Sequence, residues 1–331
     1  MKSTMSRVAL IGGGANSEHA VSLASADAVG AALIRAGFVV LRLDLDQDGG
    51  WRDANGGPLT PAAAVAAIGT CDVLFPMVHG PGGEDGSLAA LATLLAIPCV
   101  GSGLRPGAAG MDKWLSKLIA AELGVQVADG VLVRAGDPLP QVPGDCVVKP
   151  VAAGSSQGVT LVTSADGDDA LQRAIAAALT HDEQVLIEER LRGREIDIAV
   201  LRRADGSLLV SPPLEIEVPG FFDYAAKYDG SAQFTLPAAI TDVELKALQE
   251  HAITLFEGFG CAGLARIDFF LTERGWVFNE INTIPGMTEQ SQAPRMLAAA
   301  GLDYAALLTE LVTAALPPPS TMRQFPGDRA H

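Results

Sequence analysis

Asp268, Glu280 and Asn282 are the residues of this chain best suited to chemistry, because two short apolar runs bring them close together. Leu-Ala-Arg-Ile-Asp-Phe-Phe begins at Leu264, and Phe-Asn-Glu-Ile-Asn begins at Phe278. They read as two strands joined by the polar turn Thr272-Glu273-Arg274-Gly275. Side chains alternate along a strand, so Arg266 and Asp268 share a face, as do Glu280 and Asn282. A hairpin centred on residue 274 sets Asp268 opposite Glu280 and Arg266 opposite Asn282. Like charges facing across strands are destabilising, and a bound cation relieves them. Asp, Glu and Asn offer the oxygen ligands that Mg²⁺ takes alongside substrate phosphates. The competing reading is a solvated sheet face with ordinary charges.

Further polar residues recur at the ends of apolar strands. Lys149 closes Cys-Val-Val-Lys and is followed by Gly154-Ser155-Ser156-Gln157-Gly158. Backbone N–H groups and hydroxyls in such a loop can close over phosphates. Lys113, on a predicted helix over 111–123, is a second candidate for phosphate contact. His79-Gly80-Pro81-Gly82-Gly83-Glu84-Asp85-Gly86 sits at the carboxyl end of a predicted strand, where open α/β sheets place their sites. The alternative is a surface loop that merely caps the next helix. Glu188, Glu189 and Leu191, with Glu195 beyond them, lie in a connector whose acceptors suit an adenine amine and ribose hydroxyls. Phe221 to Tyr228 is irregular yet aromatic-rich, in a chain with 5% aromatics, and reads as a loop that closes over something.

The elements that must position these groups alternate between strand and helix. Gly12-Gly13-Gly14 follows a strand over 7–11 and leads into a helix from about 17 to 36. Strands are expected at 38–44, 73–78 and 97–100, with a helix at 88–95. This pattern predicts a parallel sheet with helices on both faces. The full G-x-G-x-x-G dinucleotide fingerprint is absent, since Ser17 holds its last position. A small α+β unit follows, with strands at 146–151, 159–162 and 184–189 and a helix at 168–179. Strands at 195–201 and 207–216, helices at 241–258 and 302–315 and the acidic hairpin complete the chain. The expected units are 1–106, 107–205 and 206–316, with a disordered tail over 317–331.

The composition sets limits. The 331 residues are 49% hydrophobic and 19% charged, with a formal net charge of −16. That suffices for a large core in more than one domain, and it lacks the basic field that nucleic-acid binding uses. The four cysteines are scattered without CxxC spacing and read as small buried hydrophobes in a reducing compartment. No apolar run of about 18 residues interrupts the chain, so no membrane partner and a cytoplasmic location are expected. No nucleophile elbow, zincin helix or Walker loop is present.

Taken in order, these residues resemble the D-alanine–D-alanine ligases of the ATP-grasp superfamily, from about Val8 to Leu311. The motifs are Ser17-Glu18-His19-Ala20-Val21-Ser22-Leu23, the HGPGGEDG loop, Met111-Asp112-Lys113, Val148-Lys149-Pro150 with GSSQG, GREID from Gly193, DYAAKY from Asp223, and ARIDFF with NEINTIPGMT. The resemblance implies an ATP-grasp fold, mixed α/β and α+β, with an N-terminal parallel-sheet domain. It implies that ATP lies between the second and third units. Its phosphates would touch Lys113, Lys149 and Ser156, with Lys227 closing from the loop. Glu188, Glu189, Leu191 and Glu195 would hold adenine and ribose. Asp268, Glu280 and Asn282 would bind two Mg²⁺ ions, which Mn²⁺ could replace. Glu18 would take the first D-alanine's ammonium while hydrogen-bonded to Ser155 and Tyr228, and His79 would lie nearby. Arg266 and the Gly286 backbone would stabilise the tetrahedral intermediate, and Ser291 would hold the second carboxylate. A homodimer is the expected assembly.

Three positions depart from the family pattern. Ala153 stands where Glu commonly precedes Gly-Ser-Ser. Ser87-Leu88-Ala89-Ala90 replaces a Gln-Gly after the GEDG loop. Gln292 replaces the Leu or Met that usually lines the acceptor pocket, which raises D-serine, D-lactate or a specialised amino acid as alternative acceptors. A nucleotide-dependent dehydrogenase, the reading from another class, is opposed by the missing fingerprint and the acidic hairpin.

Overall fold

A computed structural model describes residues 6–217 and 233–316. Tyr228, Lys227 and the aromatic stretch from Phe221 lie outside the described residues, as does the tail expected to be disordered.

The first sheet runs in the order β4-β3-β2-β1-β5. Strands β1 (Arg7–Gly13), β2 (Val39–Leu45) and β5 (Val73–Pro76) are parallel, with β1 in the middle. Both faces of β1 are buried, as a parallel strand requires. Val8 and Leu10 pack toward helix α1 (His19–Arg35), and Ala9 and Ile11 toward helices α2 (Pro61–Ile68) and α3 (Ser87–Leu94). The sheet is not purely parallel. Beyond β2 a short antiparallel pair, β3 (Trp51–Asp53) and β4 (Pro58–Leu59), extends the edge. The strand expected at 97–100 is reduced to a single bridge between Leu74 and Cys99, because Pro98 removes a ladder donor.

Helices α4 (Leu104–Met111) and α5 (Lys113–Glu122) follow, so the expected division at 106 falls within a helix. Asp112 caps α5, its carboxylate accepting from Leu115 N at 2.8 Å. The second sheet has the order β6-β9-β7-β8, from β6 (Gly130–Arg134), β7 (Cys146–Pro150), β8 (Thr160–Val162) and β9 (Gln184–Glu189). It is antiparallel and covered by α6 (Gly167–Ala178). Its β7–β8 connection carries the glycine–serine loop.

The third sheet centres on β10 (Gly193–Arg202), which pairs along its length with β14 (Leu264–Thr272). β14 pairs with β15 (Gly275–Asn282), and β11 (Leu208–Val210), β12 (Leu214–Glu217) and β13 (Gln233–Thr235) complete it. The single strand expected over 207–216 is two, broken around Pro212-Pro213, whose nitrogens cannot donate. Behind the hairpin, Ile267, Phe269, Trp276 and Phe278 meet helix α7 (Asp242–Phe259) in one core. Phe269 lies edge-on to Trp276 and Phe278, with centroids 6.2 and 6.1 Å apart. Each such fully buried ring contributes about 2–3 kcal/mol, which holds the opposite, polar face rigid. Two more helices end the described residues, α8 (Gln292–Ala299) and α9 (Tyr304–Ala315). The last packs in the same core as β1 and α1, so the first and last described elements share one interior. Cys71, Cys146 and Cys261 are buried and all four thiols are unpaired. No single helix among the described residues is long and apolar enough to cross a membrane.

Candidate active site

A β-bulge sets the hairpin register. At the tip, Thr272 pairs with Gly275, which leaves a two-residue loop, and this tight register runs to Phe269 opposite Phe278. Continued unchanged, it would place Asn279 opposite Asp268. The register shifts between Asp268 and Phe269, and Asn279 becomes the extra residue. Asp268 then faces Glu280 and Arg266 faces Asn282. The bulge turns both acidic side chains onto one face while Ile281 and Phe278 stay in the core.

On that face Arg266 is gripped from several sides. Its Nε and Nη2 donate to the two Asp268 oxygens at 2.8 and 2.7 Å, a bidentate fork, and Nη1 donates to Gln292 Oε1 at 2.8 Å. The Asn282 amide donates to Asp268 Oδ2 at 3.0 Å. Asp197, opposite Asp268 on β10, lies 3.4 Å from Arg266 Nε and is entirely buried. Burial first, then the Asp268 charge, raises the Asp197 carboxyl well above the ordinary range. Asp197 was not singled out from the sequence, although its place two residues after Glu195 puts it on the same strand face.

The opposite wall is basic. Lys113 Nζ donates to Ala153 O at 2.7 Å and lies 3.6 Å from Glu280. Lys117, one helical turn later on the same face, and Lys149 both pair tightly with Glu188, one on each carboxylate oxygen. Burial pushes Lys117 down to about 8, and burial together with repulsion from Lys117 and Lys113 lowers Lys149 well below the ordinary lysine range. Lys117 therefore joins the cavity wall, one helical turn beyond Lys113. Glu189, the next residue on β9, points its carboxylate elsewhere, accepting from Arg274 at 2.6 Å and from Asp129 N at 3.1 Å. It ties the hairpin tip to β9.

Above the lysines, Ser155 and Ser156 both adopt left-handed backbone, with φ of 50° and 55°. Each costs about 1 kcal/mol in a non-glycine residue, a strain that clusters at functional loops. Ser155 Oγ donates to Glu18 Oε1 at 2.5 Å, joining this loop to the start of α1. Gly154 makes that approach possible, since a Cβ there would lie 2.0 Å from Glu18 Oε2. Asn16, a further residue not singled out, donates to His79 O and Pro81 O at 2.9 and 2.8 Å and fastens the glycine-rich loop.

His79 is buried and uses both ring nitrogens. Nδ1 meets Ile284 O at 2.8 Å, and a carbonyl only accepts, so the proton sits on Nδ1. Nε2 meets Ser25 Oγ at 2.9 Å. Burial lowers its pKa and keeps the ring neutral. Glu84, also turned inward, accepts from Ile284 N at 3.2 Å and Gly80 N at 3.3 Å, and burial with the Glu18 charge raises its carboxyl to about 7.

These walls enclose one cavity of about 840 Å³. Every described residue that sequence reading put forward lines it, including Leu191, Glu195, Gly286 and Ser291. Ser291 Oγ accepts from Thr288 N at 3.1 Å and so stands at the start of α8 beside Gly286. Among the described residues no three His, Cys, Asp or Glu side chains converge as a ready cation cage. Asp268, Glu280 and Asn282 nonetheless fit Mg²⁺, which needs only one or two carboxylates alongside substrate phosphates. In the structure Arg266, the Asn282 amide and Lys113 compensate the charge that such an ion would neutralise.

A strained glycine–serine loop over buried lysines, facing an acidic hairpin, defines an ATP-grasp site, and the comparisons with known proteins agree on that fold. The family described as D-ala D-ala ligase C-terminus matches residues 141–313. The D-alanine–D-alanine ligase of Mycobacterium avium is 37% identical over 94% of this chain and 96% of its own length. That of Nocardia farcinica is 38% identical over 94% and 97%. Among solved structures, the D-alanyl-alanine synthetase A of Vibrio cholerae superposes with a TM-score of 0.82 at 29% identity, covering 94% of this chain and 98% of that one. The VanG D-Ala:D-Ser ligase of Enterococcus faecalis superposes with a TM-score of 0.81 at 31% identity, covering 95% of this chain and all of that one. This chain belongs to the D-alanine–D-alanine ligase family.

Proposed function

We infer that this chain joins two D-alanine molecules into D-alanyl-D-alanine at the expense of ATP, through an acyl phosphate, for peptidoglycan precursors. The observation that carries this reading is the single cavity shared by Glu18 with Ser155, by Lys113, Lys117 and Lys149, and by the Arg266–Asp268 hairpin. A cytoplasmic location and a homodimer belong to the same reading.

Glu18, fixed by Ser155, pairs with the first D-alanine's ammonium and aims its carboxylate at the γ-phosphate. Lys113 and Lys149 bind and neutralise the phosphate oxygens, and Ser156 with its neighbours covers them. Glu188, steadied by Lys117, accepts from the adenine amine, and Leu191 and Glu195 line the nucleotide end. Asp268, Glu280 and Asn282 would hold Mg²⁺ or Mn²⁺, which would supply further charge neutralisation on the phosphates. Carboxylate attack yields an acyl phosphate. The second D-alanine, its carboxylate held at Ser291, attacks the acyl carbonyl with its amine. Arg266 and the Gly286 N–H receive the oxyanion, and phosphate leaves. Positioning and charge neutralisation carry most of the catalysis in phosphoryl transfer of this kind.

Gln292 has a partner within the protein, its carbonyl accepting from Arg266, so it does not need a polar acceptor substrate to satisfy that oxygen, and D-alanine remains the expected acceptor. Phosphate release with ATP and Mg²⁺ against D-alanine, D-serine, D-lactate and L-alanine tests the reading. D-alanine alone should support turnover and yield the dipeptide. Turnover restricted to D-alanine plus another acceptor would establish the alternative, and none with any of them would refute both.

A further inference from the structure

The peptide that carries the Gly286 N–H lies in a segment held at both ends by partners far away in the chain. Ile284 is engaged through its N–H by Glu84 and through its carbonyl by His79 Nδ1. Met287 is engaged through its N–H by Ser25 Oγ at 3.2 Å and through its carbonyl by the Tyr304 hydroxyl at 2.5 Å. Between them stand only Pro285, with its fixed φ, and Gly286. The turn is therefore defined by its two flanking residues.

Ser25 joins the two ends. It is wholly buried in α1 and does not line the cavity. With the His79 proton on Nδ1, Nε2 has only a lone pair to offer, so the Ser25 hydroxyl donates to it. The same oxygen then accepts from Met287 N. His79 is itself fixed, its backbone N–H donating to Ser22 Oγ at 3.0 Å. The chain runs Met287 N–H to Ser25, Ser25 to His79, His79 to Ile284 O, and closes around Gly286. Each member has one direction of donation, so the ring has one arrangement.

We propose that Ser25, acting through His79, is a positioning residue that aims the Gly286 N–H at the oxyanion of the second chemical step. The proposal rests on the two-step ligase reading above. Ser25 touches no substrate, and its removal leaves the lysines, Glu18 and the acidic hairpin in place. Its loss should therefore show in the step that develops the oxyanion and spare nucleotide binding. A missing oxyanion donor costs about 100- to 1,000-fold in kcat, and a misaimed one costs less.

The test is steady-state kinetics of Ser25→Ala and Ser25→Cys, with the affinity of a phosphinate dipeptide whose tetrahedral phosphorus mimics the intermediate. For Ser25→Ala, kcat should fall about 10- to 100-fold while KM for ATP and for the first D-alanine stays within about twofold. Phosphinate affinity should fall by a comparable factor. Ser25→Cys, nearly the same shape and a weak donor, should recover part of the loss, and it carries the test alone if the alanine variant does not fold. A folded Ser25→Ala variant with kcat within about threefold of wild type overturns the relay, as does a loss confined to KM for ATP in either variant, or, where only Ser25→Cys folds, a kcat and phosphinate affinity in that variant equal to wild type. Wild-type protein that forms no dipeptide overturns the functional reading, and the relay with it.

Discussion

Glu84 offers a direct test of the electrostatics at the junction between the glycine-rich loop and the 284–287 turn. Burial and the neighbouring Glu18 charge raise its carboxyl from the ordinary 4.5 to about 7. In the window between those values the folded chain holds a proton that the unfolded chain has released, so stability falls as pH rises. Below pH 4.5 the penalty is absent, and above about 7 it is complete. At 1.36 kcal/mol per pH unit, the span from 4.5 to about 7 amounts to about 3 kcal/mol. Glu84→Gln keeps an oxygen for Ile284 N and carries no titrating proton. Its lost bond to Gly80 N costs about 1 kcal/mol at every pH, so it does not alter the slope. Urea unfolding of ligand-free protein at pH 5.0 and 7.5 measures the difference between variant and wild type. The variant should gain about 2 kcal/mol relative to wild type across that interval. A difference constant within about 0.5 kcal/mol would show that Glu84 is ionised throughout and refute the reasoning.

The other outcomes concern the hairpin and the loop. Asp268→Asn and Glu280→Gln should both abolish dipeptide synthesis; full turnover of either at ordinary Mg²⁺ would contradict the metal-platform assignment. Their stabilities should differ, since Asp268→Asn strips Arg266 of its fork and costs about 3 kcal/mol on unfolding, whereas Glu280→Gln loses only a 3.6 Å pair with Lys113 and costs under about 1 kcal/mol. Gln292→Leu removes a hydrogen bond to a charged donor, worth about 1.5–3 kcal/mol, yet should move the D-alanine to D-serine ratio of kcat/KM less than about threefold; a larger move would mean that Gln292 addresses the acceptor. Gly154→Ala should raise KM for the first D-alanine at least about tenfold by driving the loop off Glu18, and an unchanged KM would show that the loop tolerates the displacement.

The residues proposed to do chemistry, which the fold gathers around one cavity, were legible because their types are scarce and their spacing regular. Asp268, Glu280 and Asn282 follow from strand alternation, and the expected opposition of Asp268 to Glu280 is the one observed. It arises by a different route, since the turn is one register step tighter and the bulge at Asn279 restores the pairing. A bulge of that kind leaves no mark in an alternating pattern. Lys117 and Asp197 were hidden for another reason. Each lies one turn or one strand step beyond a residue already chosen, and only burial distinguishes it from a surface charge. The small helix at Gln292–Ala299 was missed because Pro294 sits in its first turn, where proline is tolerated yet reads as a break. The tie from Ser25 to Met287 spans 262 positions. No local pattern could announce it, because it depends on the last helix returning to the first sheet.

The central claim is that a D-alanine carboxylate oxygen becomes part of the departing phosphate. Incubating the protein with ATP, Mg²⁺ and D-alanine labelled with ¹⁸O in its carboxylate, then weighing the inorganic phosphate by mass spectrometry, measures this directly. Passage through an acyl phosphate transfers one labelled oxygen to each phosphate for every dipeptide formed. Phosphate without label, or phosphate released without dipeptide, would contradict the account.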